Sequence, residues 1–328
     1  MQPQTNQFQN LQSDSYLAPE TLAQLNPFEL RSKMIVEGIR SGLHISPHKG
    51  MSVEFNQHRP YTPGDDLKHL DWKVLARSDR PTIKQYDQET TLDVEILVDC
   101  SASMRFGTLG VKKGWGGTGG SKSTSTWTKF DHCTAVAAAL AWLALQNSDR
   151  VGVALFANGV TTSIPKSSNR TQWKQIISLL SREPLHDTTN LKKSCDQALT
   201  TSNNRCLFII LSDFLTELSS IQQTLANLSN KNHDVICIQT LDAQETSLNI
   251  NTATTFKGLE SNASLCVNPS SVREAYLQIL NKHLESIFEC ANKHKFEHLV
   301  LNTHKSIGPP LAAIVAKRMK WLKSHHVS

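Results

Sequence analysis

The sequence predicts an α/β fold of the doubly wound, Rossmann type, in which helices cover both faces of a mainly parallel sheet. The first observation behind this prediction is that short apolar runs alternate with amphipathic runs of helical length from residue 93 onwards. The second is that the first apolar run, Val94–Val98, is followed directly by a polar stretch from Asp99 to Ser103. Sheets of this type bind ligands at the carboxyl ends of their strands, so the two observations support each other.

The lengths of the runs separate strands from helices. The predicted strands are Val94–Val98, Val151–Phe156, Cys206–Leu211, Val235–Gln239 and His298–Leu301. The predicted helices are Asp131–Gln146, Arg170–Ser181, Leu191–Thr200, Leu218–Asn230 and Val272–Lys293. Because strands that are joined through helices run in the same direction, the sheet is expected to be mainly parallel.

Two segments precede this main domain, which we place at residues 91–304. Residues 1–30 are rich in Gln and Asn and are expected to be a loose tail, with a short helix near Phe28–Ile39. Residues 31–90 contain several Pro and Gly residues, which predict a small irregular block of turns and short strands packed on the main domain.

Two further segments depart from the alternation. Residues 105–128 hold seven of the fifteen glycines and are expected to be a mobile insertion, although ordering on a partner is the alternative. Residues 305–328 carry apolar residues at helical spacing and lysines on other faces. They predict a C-terminal amphipathic helix that docks on the domain, with a partner-binding or membrane-surface helix as the alternative.

Composition excludes several classes of function. The formal charge of the 328-residue chain is +5, and its basic residues form no stripe with interleaved aromatics, so no nucleic-acid partner is expected. The longest apolar stretch, Ala135–Leu145, is too short to span a bilayer, so we expect no integral membrane segment. The seven cysteines form no C-x-x-C pair, and no signal peptide is evident, so the expected compartment is the reducing cytoplasm.

The polar stretch after the first strand predicts a metal site. Asp99, Ser101 and Ser103 offer hard oxygen donors, which suit Mg²⁺ or Mn²⁺. Asp213 follows the strand Cys206–Leu211 and supplies a second carboxylate, although an Asp in this position, taken alone, is more typical of a cap of the next turn. Two ionised carboxylates about 5 Å apart repel by about 3 kcal/mol at an effective dielectric constant near 20. Either a bound cation or a raised pKa of one of the two aspartates relieves that repulsion.

A threonine before the helix Leu191–Thr200 completes the predicted set, and Thr188 and Thr189 are both candidates. A cation held in this way keeps a position open for a carboxylate from outside, which is the chemistry of adhesion. We therefore expect a binding protein without enzymatic activity. The alternatives are a metal-dependent phosphoesterase, with His132 or His186 as its base, and a scaffold whose site stays empty.

The stretch from Asp99 to Asp213 resembles a von Willebrand factor A domain with a metal-ion-dependent adhesion site. The resemblance assigns the ligands as Asp99, Ser101, Ser103, Thr189 and Asp213. Asp187-Thr188 stand where that family usually has Gly-Gly, and Thr189 precedes Asn-Leu as the pattern requires. The segment Lys129-Phe130-Asp131 also resembles the start of the first helix in that domain.

The upstream block resembles the signature of the domain-of-unknown-function 58 family. The matching motifs are Gly50–Phe55, Arg59–Asp66, Leu70–Trp72, Ala76-Arg77 and Lys84–Glu89. Members of this family are typically bacterial or archaeal. The resemblance implies that the protein works beside a MoxR-type AAA+ ATPase in chaperone-like assembly or maturation, and that this ATPase or a client protein supplies the carboxylate.

The same block is dense in charged residues, and buried charges need partners. We expect a structural network of ion pairs that holds the block together and onto the main domain. Its expected members are Arg59, Asp65, Asp66, Asp71 and Arg77.

Overall fold

The computed structural model describes residues 35–36, 55–62, 70–78, 80–86, 91–111, 125–202, 204–260 and 263–314. The chain divides into two compact units, of which the smaller is Ser46–Thr91 and the larger combines Met1–Ile45 with Leu92–Ser328. The expected tail at 1–30 lies outside the described residues, as do 112–124 of the insertion and 315–328 of the expected C-terminal helix.

The smaller unit is built around an antiparallel pair of strands. Strand β1 (Phe55–Pro60) pairs with β2 (Thr82–Tyr86), and helix α1 (Trp72–Ser78) lies between them in sequence. Asp71 caps this helix, because its Oδ1 accepts the backbone N–H groups of Lys73 and Val74.

The larger unit contains a six-stranded sheet. Its strands are β3 (Asp93–Asp99), β6 (Arg150–Ala157), β7 (Gly159–Ser167), β8 (Cys206–Ser212), β9 (Asp234–Leu241) and β12 (Glu297–Asn302). They lie in the order β12-β9-β8-β3-β6-β7, and every neighbouring pair is parallel except β6 and β7. The predicted mainly parallel sheet is therefore confirmed.

The other strands form two short antiparallel pairs outside this sheet. Strand β4 (Leu109–Gly110) pairs with β5 (Thr126–Trp127), which brings the two ends of the Gly-rich insertion together. Strand β10 (Thr254–Lys257) pairs with β11 (Ser264–Val267) in a hairpin.

Helices cover both faces of the sheet, as the doubly wound prediction requires. They are α2 (Lys129–Gln146), α3 (Gln172–Leu180), α4 (Leu191–Thr200), α5 (Leu218–Asn230), α6 (Ala243–Ser247) and α7 (Pro269–Lys293). One hydrophobic cluster packs α2 and α3 against one face, together with buried residues of a helical stretch at 308–314. A second cluster packs α4, α5 and α7 against the other face.

The edge strand β7 is a feature that the periodicity argument did not predict. Gly159 begins it with a φ of 123°, a conformation that glycine adopts without a steric penalty, and this lets the chain reverse directly after Ala157. The residues of β7 alternate between more and less buried positions, which is typical of an edge strand with one solvated face.

No helix in the described part of the chain is long and apolar enough to cross a membrane. The stretch Ala135–Leu145 instead lies within α2, where most of its residues are buried in the first cluster.

Candidate metal centre

The candidate site lies where the connections of the sheet change direction. After β3 the chain turns to one face with α2, and after β8 it turns to the other face with α5. Because β3 and β8 are parallel neighbours, this divergence leaves a crevice at their carboxyl ends. Asp99 is the last residue of β3 and Asp213 directly follows β8, so both carboxylates lie at this crevice.

Asp99 is fully buried and accepts hydrogen bonds from three segments. Its Oδ1 accepts the backbone N–H of Ser101 at 2.9 Å, and its Oδ2 accepts the hydroxyl of Ser212 at 2.6 Å. The hydroxyl of Thr189 lies 3.4 Å from Oδ1 and 3.3 Å from Oδ2. Burial, and after it the neighbouring Asp213, raise the pKa of Asp99 to about 7.

The three predicted hydroxyls adjoin these carboxylates. The Oγ atoms of Ser101 and Ser103 are 3.1 Å apart, and the hydroxyl of Ser103 hydrogen-bonds to Asp213. Of the two candidate threonines, Thr189 is the one whose hydroxyl reaches Asp99, whereas Thr188 is exposed. All five predicted ligand residues therefore form one connected group, although their binding of a metal stays a prediction.

Backbone hydrogen bonds hold the threonine loop against the end of β3. The N–H of Ala102 donates to the carbonyl of Asp187 at 2.9 Å, and the N–H of Leu185 donates to the carbonyl of Cys100 at 2.7 Å. Asn190 then caps α4 by accepting the N–H of Lys193. Thr189 is thus positioned by the backbone hydrogen bonds that precede it in the loop and by the helix cap at Asn190 that follows it.

A buried lysine that sequence reasoning did not assign to the site neutralises Asp213. The Nζ of Lys129 lies 2.8 Å from Oδ2 of Asp213 and 2.7 Å from Oε1 of Glu245, and the lysine side chain is only 1% exposed. Burial opposes the charge on Lys129, but the two carboxylates outweigh it and hold its pKa above the usual range. Burial likewise opposes the charge on Asp213, but Lys129 holds the pKa of that carboxyl below its usual value.

This pairing leaves Asp99 as the carboxylate of the centre without a cationic partner, since no basic side chain in the described ranges forms an ion pair with it. Two carboxylates and three hydroxyls are an all-oxygen donor set, which suits a hard divalent cation. The residues present therefore fit Mg²⁺ or Mn²⁺. In the described ranges no group of three or more His, Cys, Asp and Glu residues is placed to hold a metal ion, so the candidate centre depends on its hydroxyls as well as its two carboxylates.

Comparison with known proteins identifies the family. The family model described as "Protein of unknown function DUF58" matches residues 57–286. The chain belongs to this family. Among curated proteins, Uncharacterized protein Rv1480 of Mycobacterium tuberculosis and Uncharacterized protein Mb1516 of Mycobacterium bovis are each 29% identical over 234 residues, which cover 70% of this chain and 68% of each relative.

Solved structures with similar folds include the conserved hypothetical protein BatB from Bacteroides thetaiotaomicron, at 14% identity and a TM-score of 0.44 over 70% of this chain and 99% of that one. They also include the SpRpn10 VWA domain, at 9% identity and a TM-score of 0.38 over 70% of this chain and 95% of that one. The strand order and helix placement of this DUF58 protein are those of a doubly wound α/β sheet.

The family signature block contains local hydrogen bonds at two of its expected network residues. Arg59 donates to the hydroxyl of Thr62 at 3.0 Å, and Asp71 caps α1 as described above. Arg77 is exposed in the last turn of α1, and Asp65 and Asp66 lie outside the described residues. The network of pairs stays a prediction.

His132 and His186, the two candidate bases if the protein were a phosphoesterase, have different surroundings. His132 is fully buried, and its Nδ1 accepts the indole N–H of Trp127 at 3.2 Å. Burial, followed by the nearby His304, lowers the pKa of His132 to about 3, so the ring is neutral and its acceptor nitrogen is already used. His186 is exposed in the loop before Thr189.

Proposed function

We propose that this DUF58 protein is a metal-dependent protein-binding module that captures a carboxylate of a partner. A Mg²⁺ or Mn²⁺ ion would be held by Asp99, Ser101, Ser103, Thr189 and Asp213. The observation that carries the proposal is the fully buried Asp99 carboxylate, which belongs to one hydrogen-bonded group with the three hydroxyl-bearing ligand candidates and has no ion-pair partner in the described part of the chain. Burial and the neighbouring Asp213 disfavour the charged form of Asp99, and a bound cation would stabilise that form.

The donor set supports binding in preference to hydrolysis. When bound, the cation would supply a positive centre for an anionic ligand. Because Lys129 already neutralises Asp213, the cation would keep part of its charge for an incoming anion. For a phosphoesterase, His132 is not a suitable base because it is enclosed, and the exposed His186 forms no described hydrogen bond with the five ligand candidates.

The rim of the centre suggests the chemistry of the partner. Leu185 is 41% exposed in the loop that carries Thr189, and Leu215 is 44% exposed two residues after Asp213. Exposed apolar side chains beside a polar centre are typical of protein interfaces. The proposed ligand is therefore an acidic side chain flanked by apolar residues. The family resemblance suggests a MoxR-type AAA+ ATPase or its client as the protein that supplies it, in the cytoplasm.

Thermal unfolding with and without Mg²⁺ tests the metal site. A ligand that binds only the native state at 100 times its dissociation constant adds about 2.7 kcal/mol to the free energy of unfolding. We expect Mg²⁺ to raise the melting temperature of the wild type but not of Asp99→Asn. Asp187→Asn is the matched control, because Asp187 is an exposed acid in the threonine loop. Equal Mg²⁺ shifts in all three proteins would refute the site.

Recovery of the ATPase in pull-downs tests the partner. Wild type and Asp187→Asn should retain a MoxR-type ATPase or client in Mg²⁺ and release it in EDTA, and Asp99→Asn should retain it in neither. Equal recovery in all conditions would rule out metal-dependent capture.

A further inference from the structure

Glu260, which follows β10, brings a third carboxylate beside Thr189 of the candidate metal centre. The Oε1 of Glu260 lies 3.5 Å from the hydroxyl oxygen of Thr189. The Thr189 hydroxyl oxygen in turn lies 3.3 Å from Oδ2 of Asp99. Glu260 is far from both aspartates in sequence, and its own side chain is exposed. An exposed acid thus lies beside one of the candidate ligand residues.

The hydroxyl of Thr189 lies between two carboxyl groups, that of Glu260 and that of the buried Asp99. A hydroxyl has one hydrogen to donate, so Thr189 cannot satisfy both carboxylates at once. A cation bound beside Thr189 would give both carboxyl groups an electrostatic partner.

The hairpin that carries Glu260 is held at its base. Arg273 of α7 donates to the carbonyls of Leu248 and Ile250, each at 3.1 Å, and to Oδ1 of Asn251 at 3.0 Å. These contacts fix the segment that leads into β10.

The hairpin itself has little packing. Neither of its strands contributes a buried residue, and Leu265 is 63% exposed. A two-stranded hairpin without a buried face is marginally stable in water, so displacing its strands costs little. Glu260 is therefore attached near the centre by a segment that a competing ligand can displace.

We propose that Glu260 supplies, from the same chain, the carboxylate that occupies the open position of the bound cation until an acidic partner displaces it. This inference rests on the proposed function. If a fraction f of the molecules has the position free, the apparent dissociation constant for a partner carboxylate is raised by 1/f. Glu260 would thus make the site selective for partners that contact the rim residues Leu185 and Leu215 as well as presenting an acid group to the cation.

Mn²⁺ is the probe for the experiment, because water-proton relaxation reports the number of water molecules on the bound ion. Glu260→Gln keeps the shape of the side chain but removes the charged ligand. We expect the Mn²⁺ complex of Glu260→Gln to carry more bound water than that of the wild type. Glu274→Gln is the control, since Glu274 is an exposed acid on α7, and it should match the wild type.

Acetate provides a second readout in the same samples. With f near 0.1, acetate should displace water from the Mn²⁺ complex of Glu260→Gln at a concentration about tenfold lower than in the wild type. Identical hydration and identical acetate titration in wild type and Glu260→Gln would overturn the inference. Mn²⁺ binding that persists in Asp99→Asn would instead overturn the proposed function, so the two failures are distinguishable.

Discussion

At the scale of single residues, the charge of the metal centre depends on Lys129. The lysine is the first residue of α2, and its ammonium reaches across to Asp213 and Glu245. Its segment resembles the start of the first helix in a von Willebrand A domain, but that resemblance says nothing about the charge pairing. The partners are far apart in sequence, so the pairing depends on where α2 and the end of β8 meet.

Replacing Lys129 by Met should strongly destabilise the protein. The substitution leaves two acids, Asp213 and Glu245, in a buried site without their cation. Removing one partner of a buried ion pair costs about 3–5 kcal/mol of the free energy of unfolding. Urea denaturation measures this loss, and the exposed Lys174→Met on α3 is the control. A loss below about 1 kcal/mol would mean that the pairing contributes little.

A second buried acid, Glu95 on β3, predicts a pH dependence away from the metal centre. Burial raises its pKa to about 7, against the opposing effect of Lys166. The pKa of Glu95 is about 4.5 in the unfolded chain and about 7 in the folded protein. Between these two pH values the native state binds one more proton than the unfolded state. The contribution of Glu95 to stability is therefore full below about pH 4.5 and is lost as the pH rises through about 7.

Glu95→Gln removes this titration. From pH 4.5 to pH 8 the wild type should lose about 3 kcal/mol of unfolding free energy relative to the variant, since each pKa unit corresponds to about 1.4 kcal/mol. Denaturation at both pH values measures the difference. A difference between the two proteins that does not change with pH would contradict the prediction.

At the scale of secondary-structure elements, a capping box sets the start of α2 and with it the position of Lys129. The hydroxyl of Thr128 accepts the backbone N–H of Asp131 at 3.1 Å, and the carboxylate of Asp131 accepts the N–H of Thr128 at 2.9 Å. Both residues are fully buried, so water cannot replace these bonds.

Thr128→Ala should lower the free energy of unfolding by about 1–2 kcal/mol through loss of this cap. Thr128→Ser retains the hydroxyl and should lose less. Chemical denaturation of both variants tests whether the Thr128 hydroxyl caps α2. The cap would be refuted if Thr128→Ser lowered the free energy of unfolding as much as Thr128→Ala.

At the scale of the whole molecule, the order of the strands creates the site. Asp99 and Asp213 come together because β3 and β8 are parallel neighbours, and Thr189 joins them because its loop is hydrogen-bonded to the end of β3. The predicted alternation of strands and helices was confirmed, because each element carries its own periodicity. The strand β7 was not predicted, since it begins at the turn residue Gly159 and lies at a sheet edge with one solvated face.

By itself the sequence determined the fold class and the residues that end β3 and β8, because hydrophobic periodicity and polar residues at strand ends are local properties. Only the tertiary structure decided that Lys129 neutralises Asp213, that His132 is enclosed, and that Glu260 reaches Thr189. These contacts join residues that are distant in the chain. Strand order and helix packing bring them together, and no local pattern encodes that meeting.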